Sequence, residues 1–375
     1  MKRAKELVVE VLKKADIVVN GTRPWDIRIH NDRWYKRLLS EGTIAVGESY
    51  MDGWWDCKSI DQAIDKILRA QLHKRFKPGI EILFYLIRAR LTNMQNVTKA
   101  FEVGEQHYDI GNDLYERMLD PWMQYSCGYW TDNVTNLNEA QETKLDLIAR
   151  KLKLEPGMRV LDVGCGWGGL AKYLAEKHGV SVVGLTISKE QAVYAKEWTK
   201  RLPVEIIVAD YRTYTTEPFD RIVSVGMFEH VGHKNYRAYM EHMHRLLKDD
   251  GIFLLHTIGR STTTFATDPW IHKYIFPNGM LPSPTQVGEG MEKLFVMEDW
   301  HNFGAHYDRT LMAWYQNFES AWTELKGKDR YNDRFYRMWK YYLLSCAGLF
   351  RSRDAHLWQI VLTKNGVAGG YQSVR

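Results

Sequence analysis

The chain has 375 residues, of which 45% are hydrophobic and 26% charged, and its formal net charge is +5. This balance excludes a disordered chain, and because no apolar run approaches the roughly 20 residues of a membrane-spanning helix, a transmembrane protein is excluded too. The first fifteen residues alternate charged with apolar side chains and lack the apolar core of a secretory signal, which predicts a cytoplasmic protein. At roughly 150 residues per domain, the length favours two domains.

The cysteines are widely separated and form no CxxC pair, which fits neither a disulfide framework nor a zinc site. We therefore expect reduced thiols and no bound metal. The cysteines are Cys57, Cys127, Cys165 and Cys346.

The first ninety residues have the pattern of a small mixed, mainly helical domain. Helical spacing of apolar residues predicts helices over residues 4–15 and 32–39. Between them lie an Asn20-Gly21 turn and an alternating stretch over residues 25–30 that predicts a strand.

A pair of basic helices is predicted next, over residues 60–76 and 80–91. Between positions 64 and 99 eight Lys or Arg stand against two Asp or Glu, a local net charge of +6 that indicates an anionic partner, either lipid headgroups or nucleic acid. We predict that residues 1–93 form a domain that binds lipid or membrane and that residues 94–375 form the catalytic domain. The alternative is that the pair packs on the catalytic domain with its charges solvated.

From about residue 155 short β-branched runs alternate with helical stretches, a pattern typical of a parallel sheet with helices on both faces. Helices are predicted near residues 170–177 and from Lys189 onwards, and a final run over residues 357–363 is predicted to add an edge strand. The fold class is therefore α/β. The other predicted strands cover residues 159–163, 181–185, 203–208, 221–225 and 251–257.

A glycine-rich loop joins the first strand of this sheet to the next helix. Glycine permits positive φ and lets the backbone approach a ligand, although a structural tight turn gives the same pattern. The spacing differs from the GxGxxG of dinucleotide-binding loops, and an acid follows the third strand, where it can hydrogen-bond an adenine amine. We predict S-adenosylmethionine rather than NAD, in a class I methyltransferase (Rossmann-like) fold. The predicted contacts are Gly164, Cys165, Gly166, Trp167, Gly168, Gly169, Leu170, Asp210 and Tyr211.

The second strand of the sheet departs from the pattern of many such enzymes. It ends in Thr186-Ile187-Ser188, whereas an Asp or Glu commonly stands there to hold both ribose hydroxyls. We predict that Thr186, Glu190 and Gln191 share that role, and we include Ile187 and Ser188 among the cofactor-binding residues.

Several longer motifs lie outside the glycine loop, at residues 47–55, 107–109, 111–113, 123–127, 226–232, 256–259, 274–279 and 346–348. Taken together, they resemble those of the bacterial cyclopropane-fatty-acyl-phospholipid synthases. The resemblance runs over nearly the whole chain, including the N-terminal domain. It implies transfer of a methyl group to the cis double bond of an unsaturated phospholipid, by a homodimer bound peripherally to the inner face of the membrane.

The resemblance also implies a bicarbonate ion as base, held by Cys127, Glu229, His256, the backbone of Ile258 and Tyr307. It further implies a place for Cys346 near the substrate, and Tyr125 and Ser126 of the 123–127 motif are expected to contact the cofactor.

The expected chemistry suits such a site. Methyl transfer to an alkene leaves a carbocation, which aromatic faces can stabilise without reacting, and a proton must then be removed from the new methyl group. A carboxylate side chain beside the cation could be alkylated, whereas an exchangeable ion is renewed. Glu229 and His256 are predicted to lie just beyond the ends of consecutive parallel strands, where open α/β sheets build their sites.

Three other functions compete with this interpretation. A nucleic-acid methyltransferase would use the basic helices to bind phosphate, but the Asn/Asp-Pro-Pro-aromatic motif of base-methylating enzymes is replaced here by Gly226-Met227-Phe228-Glu229-His230. We therefore expect no nucleic-acid partner. A related lipid methyltransferase would divert the same carbocation to a methyl-branched or hydroxylated product. A non-catalytic lipid-binding protein would not need the complete set of predicted site residues.

Overall fold

The computed structural model describes residues 2–72, 111–328 and 330–375. The predicted helix over residues 80–91, the basic residues Lys74, Arg75 and Lys77, and the 107–109 motif lie outside the described residues.

The described helices, in chain order, are α1 (Lys2–Lys13), α2 (Arg33–Glu41), α3 (Thr43–Met51), α4 (Ile60–Arg69), α5 (Asn112–Met118), α6 (Leu137–Lys151), α7 (Gly169–His178), α8 (Lys189–Thr199), α9 (Tyr236–Leu246), α10 (Pro269–Tyr274), α11 (Pro284–Met291), α12 (Ala305–Leu325) and α13 (Asp333–Arg351). The strands are β1 (Arg28–Ile29), β2 (Trp55–Asp56), β3 (Arg159–Val163), β4 (Ser181–Thr186), β5 (Val204–Val208), β6 (Phe219–Val225), β7 (Leu247–Gly259), β8 (Val296–Asn302) and β9 (His356–Thr363).

The structure divides into two compact units. The first combines the described residues before position 73 with Phe265–Pro277 and Tyr307–Ala355. The second combines the described residues from position 111 to Thr264 with Asn278–His306 and His356–Arg375. Two late segments therefore belong with the N-terminal residues, a grouping that a single boundary after residue 93 does not describe. The lipid-binding role of the N-terminal residues stays a prediction.

The first unit contains the predicted N-terminal helices but very little sheet. The strand expected over residues 25–30 is reduced to β1, which pairs antiparallel with β2. The reason lies just before it, where the Asp26 carboxylate accepts the backbone N–H groups of Val18 (2.8 Å) and Arg23 (3.0 Å). Side-chain hydrogen bonds thus replace the ladder that a longer strand would need.

Helix α4, the first of the predicted basic helices, packs on α13 in the same unit. A Cβ on Gly348 would lie 2.4 Å from the carbonyl oxygen of Asp61, so glycine is what allows the two helices to come this close. Arg351 then joins α4 to α12, since its guanidinium donates to Asp61 (2.5 Å) and to both carboxylate oxygens of Asp308 (2.8 Å each).

Two cations of α4 already have acidic partners. Lys66 Nζ lies 3.0 Å from an Asp16 carboxylate oxygen, and Arg69 Nε lies 2.7 Å from an oxygen of Asp65. These two charges are therefore paired with acids of the same unit. No helix in the described parts of the chain combines the length and the apolar character needed to cross a bilayer.

The second unit is built on a seven-stranded sheet in the order β5-β4-β3-β6-β7-β9-β8. The first five strands are parallel, as predicted, and β9 runs antiparallel to both β7 and β8. Alternate residues of a strand enter opposite apolar layers: Leu161 and Phe253 pack with α9, whereas Val160 and Leu254 pack with α6 and α7. The mostly parallel α/β architecture is thereby confirmed.

The predicted place of the last strand was wrong. Residues 357–363 were expected at the edge, but β9 lies between β7 and β8, and β8 forms that edge. The compositions explain the order: β9 is an almost continuous apolar run buried along its length, whereas β8 carries Glu298 and Asp299 and is partly exposed. The charged sequence of β8 lacks the alternation of apolar and polar residues that predicts a strand, so this strand was not predicted.

Candidate active site

The glycine-rich loop follows β3 and leads into α7. Gly164, Gly166 and Gly168 all have positive φ (88°, 54° and 82°), which an L side chain rarely adopts. The backbone N–H groups of Gly164 and Cys165 donate to the carbonyl oxygen of Leu185 on β4 (2.9 and 2.8 Å), which fixes the loop against the sheet. The loop therefore forms a cradle of backbone at the carboxyl end of β3.

Other residues of this loop have structural partners. A Cβ on Gly169 would lie 1.8 Å from the carbonyl oxygen of Trp122, so only glycine fits there. The Trp167 indole donates from Nε1 to Asn112 Oδ1 (2.9 Å), and the Leu170 side chain is buried in the core. Cys165 is buried, and its Sγ would lie 2.9 Å from a Cβ on Gly184.

The end of β4 forms a local hydrogen-bonded turn. The Thr186 hydroxyl donates to Gln191 Oε1 (3.1 Å) and accepts the N–H of Ser188 (3.2 Å), while Ser188 caps α8 by accepting the N–H of Gln191 (3.2 Å). Ile187 is half-buried and Glu190 is exposed in the first turn of α8. The predicted ribose-binding residues are therefore neighbours.

Asp210 and Tyr211 follow β5, as predicted. The Asp210 carboxylate accepts Arg212 Nε (2.8 Å), Nη2 (2.5 Å) and the backbone N–H of Arg212 (2.9 Å). The carboxylate is buried and already paired with a cation, so the predicted bond to an adenine amine would be an additional one. The Tyr211 ring packs edge-on against Tyr239, with ring centroids 5.0 Å apart.

Glu229 lies just beyond β6 and is 6% exposed. Its Oε1 accepts the backbone N–H of Ile258 on β7 (2.6 Å), whereas its buried Oε2 has no hydrogen-bond partner in the structure. Burial raises the pKa of this carboxyl group to about 7. The backbone N–H of Ile258, which was expected to face the ion, thus donates to Glu229 instead. The carbonyl oxygen of Ile258 accepts the Thr257 hydroxyl (3.1 Å).

His256 is 1% exposed and lies within β7, not beyond its end as predicted. Its Nδ1 lies 3.2 Å from the Gln359 amide nitrogen on β9, and its buried Nε2 has no partner. Burial, with lesser contributions from Lys144, Lys151 and His301, lowers the pKa of His256 well below its usual value, so the ring is neutral. Adjacent strands thus present two unpartnered buried polar atoms, Glu229 Oε2 and His256 Nε2.

The 123–127 motif lies over a buried lysine. Lys144 on α6 donates to Gln124 Oε1 (2.5 Å) and Ser126 Oγ (2.9 Å), and Cys127 is fully buried with its Sγ 3.2 Å from the carbonyl oxygen of Gly128. The half-buried Tyr125 ring lies edge-on to Tyr115, with centroids 5.2 Å apart. The Ser126 hydroxyl, predicted to contact the cofactor, thus has a structural partner.

Comparison with known proteins identifies the chain's relatives. A sequence profile described as mycolic acid cyclopropane synthetase matches residues 95–360. This chain belongs to that family. The cyclopropane-fatty-acyl-phospholipid synthase of Escherichia coli (strain K12) is 54% identical over 366 residues, which cover 98% of this chain and 94% of that protein.

Two solved structures of this family are also similar. The cyclopropane synthase MmaA2 from Mycobacterium tuberculosis is 32% identical with a TM-score of 0.66, over 73% of this chain and all of that chain. Mycolic acid cyclopropane synthase CmaA1, complexed with SAH and CTAB, is 34% identical with a TM-score of 0.64, over 70% of this chain and 98% of that chain. The predicted family, the class I α/β fold and the assignment as an S-adenosylmethionine-dependent methyltransferase are confirmed.

The remaining predicted family residues, Tyr307 and Cys346, lie in the first unit. The Tyr307 ring stacks on Phe350 (centroids 4.4 Å apart) and is edge-on to Trp314. Burial raises the pKa of the half-buried Cys346 thiol to about 12, with a smaller effect from Asp268, so this thiol stays protonated. Their roles in the reaction stay predictions.

Sequence reasoning missed Lys144 and Gln359. Lys144 belongs to a segment with an ordinary helical pattern, and Gln359 belongs to a segment with the pattern of a buried strand. The buried face of α6 places Lys144 beside the site, and the pairing of β9 with β7 places Gln359 there. Among the residues that the structure describes, no three His, Cys, Asp or Glu side chains are grouped to hold a metal ion.

Proposed function

We propose that this methyltransferase forms a cyclopropane ring on the cis double bond of a phospholipid acyl chain, with a bicarbonate ion as the base. The observation that carries this proposal is the pair of buried, unpartnered polar atoms on Glu229 and His256. Glu229 follows β6 and His256 lies near the carboxyl end of the neighbouring β7, the edge at which open α/β sheets bind ligands.

The loop residues fit a bound S-adenosylmethionine. A Cβ on Gly166 would meet nothing within 4 Å, so the loop backbone there faces open space, whereas a Cβ on Gly164 or Gly168 would lie 2.8 Å from Met227 or 2.9 Å from Ala195. We propose that the loop, the Thr186 to Gln191 turn and Asp210 with Tyr211 hold it. S-Adenosylmethionine supplies an electrophilic methyl group when it is bound.

Glu229 and His256 fit a small anion that carries a proton of its own. The neutral imidazole can donate one N–H, and the free carboxyl oxygen can accept or donate a hydrogen bond according to its protonation. A bicarbonate ion has both acceptor oxygens and a hydroxyl donor, and it would serve there as the proton acceptor. We propose that Cys127, Ile258 and Tyr307 complete this site and that Tyr125 lies beside the cofactor.

We also propose that the enzyme binds peripherally to an anionic membrane as a homodimer. The support is the net charge of +6 between positions 64 and 99, together with the substrate class. Each Lys or Arg near an anionic surface contributes about 1 kcal/mol to binding. Cys346 is proposed to contact the acyl chain as a protonated thiol, without a nucleophilic role.

Mass spectrometry of vesicle lipids tests the reaction. Vesicles of a cis-unsaturated phospholipid, incubated with the enzyme and S-adenosylmethionine, should gain one methylene per modified chain and lose the double bond. Saturated vesicles are the control and should remain unchanged. A product that keeps a double bond, a product that gains a methyl group together with a hydrogen or a hydroxyl group, or a labelled nucleic acid would contradict the proposal.

Two variants separate the base site from the cofactor site. Glu229→Gln and His256→Ala should lower turnover by about 10²-fold or more, the usual contribution of a positioned acid or base, while leaving S-adenosylmethionine affinity near that of the wild type. Added bicarbonate should partly restore the weaker variant. A large loss of cofactor affinity in calorimetry would instead place that residue in the cofactor site.

A further inference from the structure

A row of polar side chains crosses three strands behind His256. In the sheet register, His256 on β7 is opposite Gln359 on β9, and Gln359 is in turn opposite His301 on β8. Directly opposed residues of antiparallel strands project from the same face, so the three side chains form one ladder. Gln359, at 0% exposure, is its fully buried centre.

The far end of the ladder is fixed by charge. Lys151 on α6 is fully buried and lies 3.1 Å from His301 Nδ1 and 3.7 Å from Asp299 Oδ2. Arg375 in turn donates to both oxygens of Asp299 (2.6 and 2.8 Å). This end is therefore held by a lysine that donates to one ring nitrogen of His301.

At the near end of the ladder, the contact between Gln359 and His256 determines which ring nitrogen of His256 carries the proton. The Gln359 amide nitrogen, a donor, lies 3.2 Å from His256 Nδ1, which must accept with its lone pair. A neutral imidazole has one N–H, so the proton then resides on Nε2. The cations Lys144 and Lys151 both act on His256 from α6, and with the neutral His301 they oppose a second proton on the ring.

We propose that Gln359 is a positioning residue that keeps the His256 ring proton on Nε2, so that His256 presents a hydrogen-bond donor to a bound anion. This inference rests on the proposed function, because an anion needs a donor at that atom. The competing arrangement turns the amide around, so that its Oε1 faces Nδ1–H and Nε2 offers a lone pair. The Gln359 Oε1 atom has no hydrogen-bond partner in the structure, so turning the amide around would break no hydrogen bond of that atom.

Substituting Glu for Gln359 distinguishes the two arrangements. A carboxylate only accepts, so Gln359→Glu should move the His256 proton to Nδ1 and leave a lone pair on Nε2. Ring formation should fall by about 10²-fold or more, since a histidine held in the wrong tautomer loses its catalytic use. The KM for S-adenosylmethionine should stay unchanged. Gln316→Glu, at an exposed position, controls for the added charge and should retain wild-type turnover.

The tautomer is measured directly on the full chain with ¹⁵N-labelled histidine. Long-range ¹H–¹⁵N spectra should show the wild-type His256 ring protonated on Nε2 and not titrating between about pH 5.5 and 8.5. A wild-type ring protonated on Nδ1, or a Gln359→Glu variant with wild-type turnover, would overturn the proposal. The wild-type spectrum tests the proposal even if the Gln359→Glu variant does not fold. If the ring is protonated on Nε2 but bicarbonate depletion leaves turnover unchanged, the positioning role stands and the proposed base falls.

Discussion

Replacing Glu229 by Gln should make the protein more stable and less active, with a stability gain that depends on pH. The carboxyl group is buried, and burial raises its pKa from 4.5 to about 7. In the unfolded chain the group ionises near its ordinary pKa. Between these two values the folded state binds more protons than the unfolded state, so wild-type stability falls as the pH rises.

The size of the effect follows from the same two values. At about 1.4 kcal/mol per pH unit, the interval from 4.5 to about 7 corresponds to about 3.5 kcal/mol. A glutamine cannot ionise and keeps an oxygen that can accept the Ile258 N–H. The stability difference between Glu229→Gln and wild type should therefore rise from pH 4.5 to 7 and level off above. A buried amide without a partner adds a cost that does not vary with pH.

Urea unfolding at a series of pH values, from about 4 to 8.5, measures this difference directly. Other buried carboxyl groups, such as Asp162, titrate equally in both proteins and cancel in the comparison. Glu205→Gln on the exposed face of β5 controls for the loss of one carboxylate and should show no such trend. A stability difference that is constant with pH, or that falls as the pH rises, would refute the claim that burial raises the pKa of the Glu229 carboxyl group.

Three other perturbations have definite expected results. Gly169→Ala should lower the free energy of unfolding by about 3 kcal/mol, because the new Cβ would lie 1.8 Å from the Trp122 carbonyl oxygen. Arg375→Ala should cost about 1–3 kcal/mol in urea unfolding, because the buried Asp299 loses both guanidinium bonds. Replacing Lys74, Arg75 and Lys77 by Glu should weaken co-sedimentation with anionic vesicles and reduce its dependence on salt, while S-adenosylmethionine binding is retained. Unchanged sedimentation would place the membrane contact elsewhere on the protein.

The parallel part of the sheet could be predicted because its strands are short, apolar and separated by helical periodicity. The positions of the glycine loop and of the polar residues after β5 and β6, Glu229 among them, follow directly from that pattern. The order of the last strands could not be predicted. It depends on which neighbour the antiparallel β9 joins, and the charged β8 has no alternation that marks a strand.

The grouping of late helices with the N-terminal residues was equally invisible in the sequence. Helices α12 and α13 each bury a set of apolar side chains, but periodicity states only that one face of a helix is buried, not against which element. The contact of Gly348 with the Asp61 backbone and the bridge from Arg351 to Asp61 join segments almost three hundred positions apart. Local patterns contain no information on such pairings.

The two buried lysines of α6 show why the interior of the site could not be predicted from pattern. Lys144 and Lys151 are seven positions apart, two turns of helix, and therefore lie on the same face, yet lysine normally marks a solvated face. Burial lowers the pKa values to about 8 and about 7, and nearby acids oppose that shift: Asp120 and Asp162 for Lys144, and Asp299 for Lys151. Burial is also the main cause that keeps the His256 ring neutral, and both lysines add to it, while Lys144 donates to the Ser126 hydroxyl. The helix therefore contributes to the electrostatics of the site through residues that a sequence pattern assigns to solvent.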